Sequence, residues 1–109
     1  MPTVYKVLGQ SNPSANTLTT LYAVPSSNAA VVSTMSICNQ GAANANISIA
    51  IAQANTSVTA TQYIVKDALI TTNDTIFLTL GVTMAATDTI RINSTNANTS
   101  FAAFGSEIY

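Results

Sequence analysis

The chain has 109 residues, 48% hydrophobic and only 6% charged, with a formal net charge of -1 and neither His nor Trp. That suits one domain, residues 1–109, with a core large enough to fold without a metal or disulfide staple and a surface built from Thr, Asn and Ser. Three cations (Lys6, Lys66, Arg91) are too few to neutralise a run of phosphates. With one Cys and four scattered acids there is no ligand set for a tetrahedral metal site and no evident acid–base pair. The expectation is a protein without cofactor, metal or enzymatic activity that binds no nucleic acid.

In chain order, the first ten residues lack a basic stretch followed by an apolar one, and no run approaches the length of a membrane span. This predicts synthesis in a cytoplasm with no membrane association. Residues 4–8 read as a first strand, and 18–24 as a second that Pro25 ends. A third covers 31–38 and carries Cys38, a lone thiol read as a small buried hydrophobe. The clearest alternation is 46–53, where Ile47, Ile49 and Ile51 define one buried face and Ser48, Ala50 and Ala52 the other.

A polar loop over 52–61 leads to a fifth strand at 63–70. Residues 75–80 form a sixth, with Ile76, Leu78 and Leu80 inward. The connector Gly81-Val82-Thr83-Met84-Ala85-Ala86 is too apolar for a freely solvated loop and is expected to pack over an open end of the sandwich or against a partner. Residues 89–93 then place Ile90 and Ile92 inward and Arg91 outward, and 101–108 make the last strand. Seven or eight short strands separated by turn residues such as Ser11-Asn12-Pro13-Ser14, Asn39-Gln40-Gly41 and Thr72-Asn73-Asp74 predict an all-β chain. Its fold is expected to be a single antiparallel β-sandwich, immunoglobulin-like or jelly-roll-like.

One internal echo stands out. Asn73-Asp74-Thr75-Ile76 and Thr87-Asp88-Thr89-Ile90 share the form polar-Asp-Thr-Ile, which places each Asp to accept backbone N–H groups in the turn that launches a strand. Read as function instead, the two carboxylates would form a calcium site, for which further acidic ligands are missing nearby, or a hydrolytic pair.

The opening Val4-Tyr5-Lys6-Val7-Leu8-Gly9-Gln10-Ser11, the segment Leu18-Thr19-Thr20-Leu21-Tyr22-Ala23-Val24-Pro25, the run ending in Ile37-Cys38-Asn39, the stretch Leu80-Gly81-Val82-Thr83-Met84-Ala85-Ala86-Thr87-Asp88 and the closing Ser100-Phe101-Ala102-Ala103-Phe104-Gly105-Ser106-Glu107-Ile108 together resemble small virion proteins of tailed phages that infect marine cyanobacteria. The resemblance covers most of the chain, although it rests on strand and loop patterns without a chemical signature. It implies a capsid decoration (cement) protein on the outside of the head, with a tail, baseplate or fibre module or adhesin as the alternative. The implied partners are the major capsid protein and further copies of the chain, a trimer being favoured. The contact candidates are Val4 and Val7 in the first strand, Val82 and Met84 in the apolar connector, and Phe101 and Phe104 in the last strand, since a terminal strand can add to a partner's sheet edge.

Overall fold

The computed structural model describes residues 3–109, apart from the side chain of Leu80. Eight strands follow one another: β1 (Thr3–Ser11), β2 (Thr19–Ala23), β3 (Ala29–Asn39), β4 (Ala45–Ala52), β5 (Tyr63–Ile70), β6 (Thr75–Met84), β7 (Thr89–Ser94) and β8 (Thr99–Ile108). Two short 3-10 turns, Gln53–Asn55 and Ala60–Gln62, lie between β4 and β5. The strands form two four-stranded sheets of order β1-β8-β3-β6 and β2-β7-β4-β5.

The pairing is nested: β1 with β8, β2 with β7, β3 with β6 and β4 with β5, all antiparallel. The chain is thus one long hairpin rolled up so that β8 also meets β3 and β7 also meets β4. Of the two sandwiches anticipated, this is the jelly roll; an immunoglobulin arrangement divides its strands differently between the sheets.

Burial follows the sequence alternation. Ile47 and Ile49 of β4, Ile90 and Ile92 of β7, Met35 and Ile37 of β3 and Phe101 and Ala103 of β8 fill the space between the sheets. The outward set Ser48, Ala50 and Ala52 of β4 is buried too. Ala50 stands in register between Tyr63 and Arg91, and the Arg91 guanidinium donates on to the side-chain Oδ1 of Asn55 at 2.7 Å. Long side chains and the 53–62 segment thereby serve this outer face, which explains why small residues alternate there with isoleucine.

A register step crosses the first sheet, between Val7 and Gly9 on β1 and between Val32 and Thr34 on β3. Buried positions on β3 switch from Ala30 and Val32 to Met35 and Ile37, so relative to β8 the extra residue is Ser33, whereas two residues of β6 stand opposite it. The step requires Gly105: a Cβ there would overlap the Val31 carbonyl oxygen. This step also turns Cys38 outward. It is half-buried rather than sealed in the core, a correction to the sequence reading. Ile76 and Leu78 pack partly buried against the core as expected, whereas the side chain of Leu80 lies outside the described residues.

Candidate interaction surface

The connector predicted at 81–86 is not a loop. β6 continues through Gly81 and Val82 to Met84, paired with Ala30, Val31 and Val32 of β3, and only a short turn at 85–88 leads to β7. Its apolar character reflects alternation: Val82 packs half-buried against the core and Met84 is buried. Phe101 is also a core residue, 1% exposed. Of the six contact candidates, therefore, Met84 and Phe101 are interior and Val82 is mostly so.

The remaining three lie on the first sheet's β1-β8 margin. Residues directly opposite in a sheet share a face, so Val7, paired with Phe104, projects outward with it, while Val4, paired with Glu107, lies on the inner side. Val4 and Val7 are nonetheless both exposed, because the first half of β1 runs on without burial on either face.

Reading the register across the sheet gives the composition of its outer face in rows. One row is Tyr5, Ser106, Val31 and Thr83; the next is Val7, Phe104, Thr34 and Thr79; a third is Gln10, Ala102, Ser36 and Phe77. Tyr5 is 85% and Phe77 69% exposed. No formal charge occurs in these rows. All seven charged residues are placed elsewhere: Lys6 and Glu107 on the inner side, Lys66 and Asp67 on β5, Arg91 on β7, and Asp74 and Asp88 in turns. Phe77 was legible as an outward residue from its position between Ile76 and Leu78. Tyr5 was not, since nothing around it distinguishes a core from an interface aromatic. The exposed Ile64 and Leu69 stand instead on β5, interleaved with Lys66 and Asp67.

At the inner side of the β1-β8 margin the structure builds a polar cluster. Glu107, 2% exposed, accepts the hydroxyl of Tyr22 from β2 and pairs with the Lys6 ammonium of β1 at 2.8 Å; the Tyr109 hydroxyl lies at 3.4 Å. The Lys6 hydrogen bond, followed by that of Tyr22, holds the Glu107 carboxyl below the usual carboxylate range against the opposing effect of burial. Burial, together with the carboxylate it faces, pushes the Tyr22 phenol well up. All four side chains are accounted for by one another, so the cluster is a structural tie between sheets.

The Asp pair is likewise structural. Asp88 accepts the amides of Ala54 at 2.8 Å and Ala85 at 3.0 Å, and Asp74 that of Thr75 at 2.9 Å. The ten-residue β6 separates them; at about 3.3 Å per residue they lie roughly 30 Å apart, which excludes a shared ion or a hydrolytic dyad. Among the described residues no group of three or more His, Cys, Asp or Glu could hold a metal ion, and no helix is long and apolar enough to cross a membrane.

The surface depressions are open and uncharged for the most part. One of about 380 Å³ is lined by Gln10, Ser11, Asn12, Ser36, Ser100, Phe101 and Ala102, at the edge of the outer face. A second, of about 390 Å³, lies at the opposite end of the molecule among Thr20, Ala23, Val24, Asn55, Thr87 and Thr89.

The chain matches no protein-family model and no curated protein. Among solved structures it is similar in fold to a chain in the structure of infectious bursal disease virus, Gx strain, with a TM-score of 0.53 and 10% identity. The likeness covers 97% of this chain and 31% of that one. What the two share is the β-sandwich architecture, laid down by sequences that have little else in common.

Proposed function

We propose that the chain is a structural component of a phage particle: a capsid decoration protein that binds the outer surface of the head and stabilises the shell by bridging major capsid protein subunits. The observation that carries this reading is the charge-free outer face of the β1-β8-β3-β6 sheet, with Tyr5, Val7, Phe77 and Phe104 among small hydroxyl residues. Aromatic residues in surroundings depleted of charge are the composition of an interface centre. The resemblance to cyanophage virion proteins supplies the particle, and the likeness in fold to a chain of a virus structure is in keeping with it.

The mechanism needs no reacting group. A rigid sandwich presents the apolar face, each contact with the shell is modest, and many copies on a lattice add their contacts into resistance of the whole head to internal pressure. The chain would be made in the host cytoplasm and reside on the capsid surface, associating with its own copies as well as with the shell.

Binding to isolated heads tests the proposal. The purified chain is expected to sediment with heads stripped of it, and Val7→Lys with Phe104→Lys to abolish that, because two ammonium groups would be desolvated at the contact. Sedimentation with isolated tails and not with heads would overturn it in favour of a tail, baseplate or fibre module.

A further inference from the structure

Four strand edges are left by the two sheets, at β1 and β6 of one and β2 and β5 of the other. Exposed edges invite pairing with another strand, and folded proteins guard them with charge, proline, bulges or shortness. β1 carries Lys6 and a register step. β2 has only five residues and runs into Pro25. β5 carries Lys66 and Asp67, the latter with a φ of 54° that breaks the extended backbone. β6 is the least guarded of the four: its ten residues include no charge and no proline, and although two of its residues stand opposite Ser33 of β3 between Thr79 and Val82, exposure keeps the same alternation on both sides of position 80.

The sequence of β6 is also nearly palindromic about Thr79. Counting outward from that residue, Phe77 corresponds to Gly81, Ile76 to Val82 and Thr75 to Thr83. A palindrome of residue kinds is what an antiparallel strand needs to pair with an identical strand across a twofold axis, where each contact occurs twice. With the axis at Thr79, threonine meets threonine and aliphatic meets aliphatic, both favourable cross-strand pairs. The exposed Phe77 ring would lie over Gly81 of the other copy, where a Cβ would find no atom within 4 Å. An aromatic covering an edge glycine is an established way of fixing strand register.

We propose that a second copy of this chain docks on β6, pairing β6 to β6 antiparallel about Thr79 and joining the two first sheets into one eight-stranded sheet. The net charge of -1 per copy opposes this association very little. The pairing makes the uncharged outer faces continuous across the dimer. It is a twofold arrangement, in place of the threefold expected from the family resemblance, and it stands independently of the binding to heads.

Sedimentation velocity and a crosslinking pair test this. The unaltered chain is expected to be a dimer, and Thr79→Lys, which sets two ammonium groups opposite each other at an exposed position, to weaken association at least tenfold with an unchanged far-UV circular dichroism spectrum. In a Cys38→Ser background, Thr79→Cys should form an interchain disulfide under oxidised glutathione, since directly opposed Cα atoms at about 4.5–5.5 Å are within disulfide reach. Thr75→Cys, far from its own copy in this register, should not. A monomeric chain, or Thr79→Cys crosslinking no better than Thr75→Cys, would overturn the proposal and leave the binding of heads a separate matter.

Discussion

The phenol of Tyr22, on β2, donates its hydrogen to the Glu107 carboxylate, on β8, and so joins one sheet to the other. Lys6 completes the arrangement from β1, which otherwise has an exposed first half. Tyr22→Phe removes one donor from a carboxylate that stays buried, at an expected cost of about 2 kcal/mol. Equilibrium urea unfolding checks it, and a change below about 0.5 kcal/mol, the level of an ordinary surface substitution, would refute the tie.

The same cluster sets a pH dependence. The folded-state pKa of Glu107 is lowered, so its contribution is fully present above the unfolded-state value, near pH 4.3–4.5, and is lost as the pH falls through the folded one. Those of Lys6 and Tyr22 are raised, the first by the Glu107 hydrogen bond and the second chiefly by burial. Their contributions hold below about pH 10 and fall above it. Stability should therefore form a plateau between these limits, and Glu107→Gln should flatten the acid shoulder. An unchanged acid limb in that variant, followed by thermal unfolding from pH 2 to 7, would place the acid-sensitive group elsewhere.

Most of the fold was readable from residue alternation. Isoleucine at every second position of β4 and the Asp-Thr-Ile repeats fixed three strands and two turns, because period two and turn chemistry are local properties. The choice of jelly roll was not legible, since it depends on which distant strands pair. Nor was the end of β6: Gly81 inside a strand mimics a loop in sequence, and only the pairing with β3 shows otherwise. Cys38 was misplaced by the extra residue at Ser33, which flips every later side chain of β3. The contact candidates failed where a large apolar residue, Met84 or Phe101, belonged to the core, a distinction that needs the neighbouring sheet.

Asn39 illustrates a role hidden in a turn. Fully buried at the end of β3, its Nδ2 donates to the carbonyls of Ala43 at 2.9 Å and Ile70 at 3.1 Å, while its Oδ1 accepts the Gly41 amide at 3.0 Å. Asn39→Asp turns the donor into a second acceptor facing the carbonyls of Ala43, Ile70 and Thr71. It should destabilise more than Asn39→Ala, for which about 2 kcal/mol is expected. The reverse order in urea unfolding would contradict the assigned amide orientation.

Gly105 lies where β8 passes closest to β3 at the register step. Gly105→Ala should cost on the order of 3 kcal/mol, because backbone rather than a pliable side chain blocks the new methyl group. Gly81→Ala, with open space around it, should leave the stability of the single chain within about 1 kcal/mol. Thermal unfolding of the two variants at low protein concentration separates them, and equal losses would refute the close approach.

The aromatic residues divide between core and surface. Phe101→Ala should cost about 3–5 kcal/mol through the cavity it opens, whereas Phe77→Ser, at an exposed position, should stay within about 0.5 kcal/mol while weakening attachment to heads. Urea unfolding at a protein concentration low enough to keep the chain monomeric, together with sedimentation on heads, measures both quantities. Loss of stability in Phe77→Ser, or full attachment by it, would remove that residue from the interaction surface.

The proposed seat of this chain on the outside of a phage head is the uncharged outer face of the β1-β8-β3-β6 sheet. A cryo-EM reconstruction of the virion that carries it tests this most directly. Density for the sandwich is expected at regular lattice positions on the head exterior, with Val7 and Phe104 turned toward the shell. A head lattice without the chain, or one contacted through the Lys66 and Asp67 edge instead, would contradict it.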